Sequence, residues 1–185
     1  MSKPAKRDTL PEGRTAAALL VIDVQKELFA KSTPIFQADR LLKNINALVA
    51  RAHQAGAPVF YVQHCAERFL VKGSEGWELH PQMCPTTADG SIYKKKGSAL
   101  EGTVLGQEME KKNVGHVVIA GLVTHGCVKT TSLDALRLGY QVTLVSDGHS
   151  SYSKQAAEMI EQWNNRLQKA GARLRTTAEF DFAPA

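Results

Sequence analysis

Seven apolar residues, Ala16 to Ile22, run without interruption up to Asp23. A strand that is apolar at every position, and not only at alternate ones, is covered on both faces, which is the condition of an interior strand in a parallel sheet. HVVIAG at 116–121 has the same character, PVFYVQH at 58–64 adds a strand opened by a proline at its permitted first position, and QVTLVSD at 141–147 adds another. SIYK at 91–94 reads as a short strand, and ARLRTT at 172–177 as an edge strand.

Between these runs the apolar residues recur at steps of three and four. Leu41, Leu42, Ile45, Leu48, Val49 and Ala52 predict an amphipathic helix from Asp39 to His53, with Gly56 as its stop. Ser98 with Glu101 three residues on predicts a capping box that opens a helix through Lys112. A helix over VKTTSLDALRL, 128–138, should end at Gly139, and one over 153–170 should turn Ala156, Ile160, Trp163 and Leu167 inward. Strands alternating with helices predict an α/β fold, a three-layer αβα sandwich with a six-stranded parallel sheet, and the Rossmann-like order 3-2-1-4-5-6 is the one expected for it.

Residues 1–15 are polar, hold two prolines and show no period, so a flexible N-terminal arm is expected there, with one domain over 16–185. The longest early apolar run is too short to cross a bilayer and lacks a cleavage pattern, which argues against an anchor or a signal peptide. The net charge of +5 is dispersed, with Lys94, Lys95 and Lys96 as the one triple and no aromatic residues interleaved with it, so neither nucleic acid nor membrane is an expected partner. Three cysteines, Cys65, Cys84 and Cys127, form an odd set without metal-type spacing, which suggests free thiols in the cytoplasm.

Ligands of open parallel sheets bind at the carboxyl ends of the strands. Those ends carry Asp23, His64, Lys94, the THGC loop with Cys127, and Asp147 with His149, while the long segment 65–89 suggests a binding loop. The expected order makes strands one and four neighbours and so brings Asp23 and Cys127 together. Cys127 opens a helix, where free N–H groups and the helix dipole favour a thiolate, and Gly126 leaves room for substrate. Taken alone, Cys127 also fits an inert buried thiol, and Asp23 a structural cap.

LLVIDVQ at 19–25, EGWELHP at 75–81, YKKKGSAL at 93–100 and VVIAGLVTHGCVKTTSLDALRLGYQVTLVSDG at 117–148 resemble the isochorismatase-like cysteine hydrolases. That family includes nicotinamidases, N-carbamoylsarcosine amidases and ureidoacrylate amidohydrolases. The resemblance implies Asp23 as acid/base, Cys127 as nucleophile and Lys94 as the third member, with Lys95 as the alternative register. It implies a cis peptide between Leu122 and Val123, an oxyanion hole from the Val123 and Cys127 N–H groups, and a thioester intermediate without cofactor. The implied substrate is a small carboxamide or ureido compound, met by Phe29, His64, Trp77 and Thr124, with Cys65 and Cys84 structural.

Nicotinamidases of the family bind a metal through an Asp-x-His element. HCAERFLVKGSEGWELH lacks one, so no metal is expected at His64 or His80, and nicotinamide is disfavoured. Two other readings stand beside amide hydrolysis: a vinyl ether hydrolase of the isochorismatase type with Asp23 as general acid, and a non-catalytic ligand-binding or assembly protein. The resemblance also implies a homo-oligomer, dimer or tetramer.

Overall fold

A computed structural model describes residues 13–182 of the 185-residue chain. Most of the expected N-terminal arm lies outside the described residues; within it, Arg14 forms an ion pair with Glu110. The strands are β1 (Ala16–Ile22), β2 (Val59–His64), β3 (Gly90–Lys94), β4 (Val114–Leu122), β5 (Gln141–Ser150) and β6 (Arg173–Arg175). All pairings are parallel, as the strand-helix alternation predicts, and the order is the expected Rossmann-like β3-β2-β1-β4-β5-β6. The helices are α1 (Lys26–Phe29), α2 (Ala38–Gln54), α3 (Leu105–Lys111), α4 (Lys129–Arg137) and α5 (Ala156–Lys169).

The alternation of β1 builds two cores. Leu19 and Val21 meet Leu41, Leu42, Ile45, Leu48 and Val49 of α2 on one face. Ala18, Leu20 and Ile22 meet Leu105 and Met109 of α3, Ala135 of α4 and Leu167 of α5 on the other. Two-sided burial is thus the physical cause of the unbroken apolar run. Among the described residues no helix is long and apolar enough to cross a membrane.

One helix departs from expectation. Ser98 and Glu101 do not open α3, which starts only at Leu105. The Ser98 hydroxyl donates to Asp134 on α4 at 2.7 Å, the Ala99 N–H donates to Thr131 at 3.0 Å, and Gly102 is left-handed with φ +67°. Tertiary partners on α4 outcompete a local cap that offers about 1 kcal/mol, and residues 97–104 become a braced loop beneath β3. Strand β5 is also longer than its apolar run predicts and carries Asp147 and His149 inside it.

Gly121, near the end of β4, is required by contact. Its φ is +120°, and a Cβ there would stand 2.1 Å from the Ile22 carbonyl oxygen. Only glycine lets β4 approach the end of β1 this closely, which sets the spacing between the two strands that carry Asp23 and the Cys127 turn.

Candidate active site

Asp23 follows β1 directly, and its N–H still pairs with the Val62 carbonyl at 2.8 Å. Its backbone then turns left-handed, φ 51°, a conformation that aspartate tolerates better than most residues. The turn directs the carboxylate beneath the strand ends, where Asp23 is 3% exposed. Lys94 arrives from the last position of β3 and is 1% exposed, whereas Lys95 and Lys96 are exposed. The strand's alternation separates them: Ile92 and Lys94 are buried while Ser91 and Tyr93 are exposed.

Cys127 lies in a single π-type turn, Thr124–Val128, that passes into α4. The Leu122–Val123 peptide before the turn is cis. Gly126, inside the turn, has φ −115° and ψ −111°, and a Cβ there would come 3.0 Å from Val123 Cγ2.

The three side chains meet. Lys94 Nζ is 2.9 Å from Asp23 Oδ2 and 3.1 Å from Cys127 Sγ. It also donates to the Lys96 carbonyl at 3.2 Å and lies 3.0 Å from His64 Nδ1. Asp23 Oδ1 is buried and has no hydrogen-bond partner among the described residues. A carboxylate with one oxygen on a cation and the other open is equipped to take a proton from a neighbouring group.

Burial raises the Asp23 carboxyl above its ordinary 3.8, and Lys94 opposes the rise. The Cys127 thiol is pushed up to about 11, first by burial and then by the Asp23 charge, again against Lys94. This corrects the expectation of a ready thiolate: loss of solvent outweighs the start of a helix. Burial thus favours the thiol form of Cys127, and moving one proton from sulfur to an ionised Asp23 Oδ1 creates the thiolate with no change in net charge.

Asp23, His64 and Cys127 also present ligand atoms within 4.8 Å of one another, a donor set of the kind that binds metals. The Lys94 ammonium contacts all three residues, so a cation already neutralises the cluster. His80 stands apart from it, with its ring 4.5 Å from that of Phe29 and its Nδ1 accepting the Gln82 N–H.

The four expected substrate contacts divide. Phe29 is half-buried against His80. His64 lies on Lys94. Trp77 packs on Tyr93, centroids 5.3 Å apart, and its indole N–H donates to Cys65 Sγ at 3.2 Å. Tyr93 leaves β3 on the side opposite Lys94, and the Trp77 ring faces Tyr93 and Cys65. Thr124 is fully buried, with its hydroxyl 2.8 Å from His149 Nδ1 and 3.0 Å from the Ser150 carbonyl. It ties the cysteine turn to β5 and offers a ligand no exposed group, because the turn folds its side chain under the backbone. Asp147 is likewise occupied, accepting both the N–H and the hydroxyl of Thr177.

His149 is buried beneath the turn, with Nε2 2.9 Å from Asn164 Oδ1, and burial lowers its pKa to about 4. Because the folded value lies below the unfolded 6.5, the chain loses stability as pH falls from 6.5 towards 4, by up to about 3 kcal/mol. Urea denaturation at pH 7 and pH 4.5 should show this drop in wild type, and His149→Asn should flatten it.

Gln25 is a site residue that the sequence reading passes over, although it stands inside LLVIDVQ. It is fully buried, its Nε2 donates to the His64 carbonyl at 3.1 Å and to the Trp77 carbonyl at 2.8 Å, and its Oε1 accepts the His64 N–H at 2.8 Å. Gln63 adds a second bond to the Trp77 carbonyl at 3.0 Å. An amide three residues past the end of a two-sided apolar strand was the available signal, since a buried amide there needs several partners.

A parallel sheet that carries Asp, Lys and Cys at three strand ends defines a class of α/β proteins built around one buried ion pair and a thiol. The isochorismatase domain profile matches residues 17–179, and the chain belongs to the isochorismatase family. It is 32% identical to a streptothricin hydrolase of Streptomyces noursei over 77% of this chain and 52% of that protein. The chain thus spans about half the length of this relative. It is 26% identical to nicotinamidase 3 of Arabidopsis thaliana over 77% of each chain. A crystal structure of an isochorismatase family protein superposes with a TM-score of 0.83 at 27% identity, covering 89% of this chain and all of the other. The N-carbamoylsarcosine amidase structure from Thermoplasma acidophilum has a TM-score of 0.79 at 23% identity over 90% of this chain and 99% of that one, a likeness of fold.

Proposed function

We propose that the chain is a cysteine hydrolase that cleaves the C–N bond of a small carboxamide or ureido compound. The observation that carries this reading is one ammonium within 2.9 Å of a buried carboxylate oxygen and within 3.1 Å of a thiol sulfur. Asp23 Oδ1 takes the thiol proton, and Lys94 stabilises the thiolate that forms. The thiolate attacks the carbonyl carbon and the C=O electron pair moves onto oxygen, where the N–H groups of Val123 and Cys127 are the assigned donors. Collapse breaks the C–N bond, and the departing nitrogen takes the proton from Asp23. Water then adds to the thioester, giving one proton to Asp23 and releasing the acid, and the thiol is restored when that proton returns to sulfur.

The names of the relatives, a streptothricin hydrolase and a nicotinamidase, support hydrolysis. An ether hydrolase that used Asp23 alone would leave the contact of Lys94 with Cys127 without a purpose. Activity should fall as pH drops through the Asp23 carboxyl, whose raised value places this limb above 3.8. The test is ammonia or amine release over a panel of primary amides and ureido acids, with acid quenching and mass analysis of the Cys127 peptide. The expected result is a mass increase equal to the acyl half of the best substrate. Turnover without any adduct on Cys127 defeats the reading.

A further inference from the structure

Lys94 has three protons to donate and four acceptors around Nζ: Asp23 Oδ2 at 2.9 Å, His64 Nδ1 at 3.0 Å, Cys127 Sγ at 3.1 Å and the Lys96 carbonyl at 3.2 Å. An ammonium carries no lone pair, so Nδ1 can take part only as an acceptor, in a neutral imidazole with its proton on Nε2. The imidazole is also held in place from its backbone. Gln25 accepts the His64 N–H and donates to the His64 carbonyl, a two-point clamp from a fully buried amide. A histidine fixed at its main chain, with one ring nitrogen on the central lysine, has a more specific place than a loop residue awaiting substrate.

We propose that His64 is a positioning residue for the amide hydrolysis, whose neutral imidazole holds the Lys94 ammonium between Asp23 and Cys127 and whose protonation releases it. The proposal rests on the Asp23, Lys94 and Cys127 reading above. Once protonated, the ring can only donate, so Nδ1 no longer accepts from Nζ and two cations face each other across 3.0 Å. Lys94 is then pushed off at least one of its other partners, and the thiol loses the charge that stabilises its anion.

The titratable groups facing the ring are Asp23 from the end of β1, Lys94 from β3 and Cys127 from the turn after β4. Burial and then Lys94 lower the His64 pKa from 6.5, while Asp23 opposes them. Its midpoint therefore lies below 6.5 and that of Asp23 above 3.8, so burial moves the two groups towards one another on the acid side. Two groups then shape the acid limb, and loss of one should be visible in its slope.

The experiment measures alkylation of Cys127 by iodoacetamide, read on its own peptide by mass, and hydrolysis of the best amide, both between about pH 4.5 and about pH 8. It compares wild type, His64→Asn and His64→Leu. Asparagine places a non-titrating acceptor near Nδ1, so His64→Asn should stay within about threefold of wild type at the alkaline end and fall with a one-proton slope, where wild type approaches two. His64→Leu, without an acceptor, should lose about tenfold to a hundredfold at the alkaline end, with the deficit shrinking in acid, where the protonated wild-type ring no longer holds Lys94 either. A His64→Asn limb that superimposes on the wild-type limb overturns the proposal, as does a fully active His64→Leu.

Alkylation requires no substrate. If no amide is hydrolysed while the alkylation limb still changes slope in His64→Asn, the positioning role stands and the amide reading falls.

Discussion

Replacing Cys127 with alanine should lower amide hydrolysis by at least about 10⁴-fold, because a nucleophile that works as a unit with its proton acceptor leaves only the binding and oxyanion contributions when removed. Fold stability should hardly change. Cys127 is partly buried against the core that contains Val128, Ala135 and Leu105, and alanine keeps its Cβ. The check is ammonia release and acyl-adduct mass on one preparation, with a melting curve to establish that the variant is folded. Cys127→Ser serves as the partner variant. Its oxygen is a poorer nucleophile beside Asp23 than sulfur, so it should also be nearly inactive, and substantial activity in either variant means that the thiol does not form the bond.

Lys94→Met should be the most damaging single change to the fold within the site. The ion pair of Lys94 with Asp23 is almost fully buried, with side-chain exposures of 0% and 4%. Removing the cation strands a buried carboxylate, at a cost of about 3–5 kcal/mol near neutral pH. For a chain of this size each kcal/mol lowers the melting temperature by about 2–4 °C, so a fall of about 6–20 °C is expected, together with loss of activity. The deficit has a predicted pH dependence. Without Lys94 the folded Asp23 carboxyl rises further, so the unfolded chain ionises first as pH increases, and the deficit should shrink in acid and grow above the unfolded value near 3.8. The double variant Asp23→Asn, Lys94→Met removes the stranded charge and should recover most of the stability without recovering hydrolysis. Recovery of neither, or equal deficits at pH 4 and pH 7, shows that charge pairing is not what the lysine contributes.

Much of this arrangement was legible in the residue pattern, for identifiable reasons. The apolar run through β1 has no alternation because both faces are covered, and that fixed the parallel sheet and its layers. A parallel sheet places its loops at the carboxyl ends of the strands, so Asp23, His64, Lys94 and Cys127 converge there whatever the details of packing. The capping box at Ser98 and Glu101 was a sound local signal that failed because α4 supplied Ser98 and Ala99 with better partners, which no window along the chain contains. Trp77 and Thr124 lie in the expected loops but turn their side chains to Cys65 and Tyr93, and to His149, respectively. The direction of a loop side chain depends on neighbours far away in sequence, and Gln25 shows the same effect in reverse, a residue quoted in a motif whose role appears only when residues 64 and 77 are brought to it.

The sequence by itself determined the layers and the identities of the groups at the strand ends, because periodicity is a local property that a linear pattern records. Only the tertiary structure decided their state: that the Cys127 thiol rests protonated, that Asp23 keeps one oxygen open, that Lys94 and not Lys95 enters the cluster, and that His64 leans on the lysine. Burial and the distances between charges set each of these outcomes, and both arise only when segments far apart in the chain close over the same few cubic ångströms.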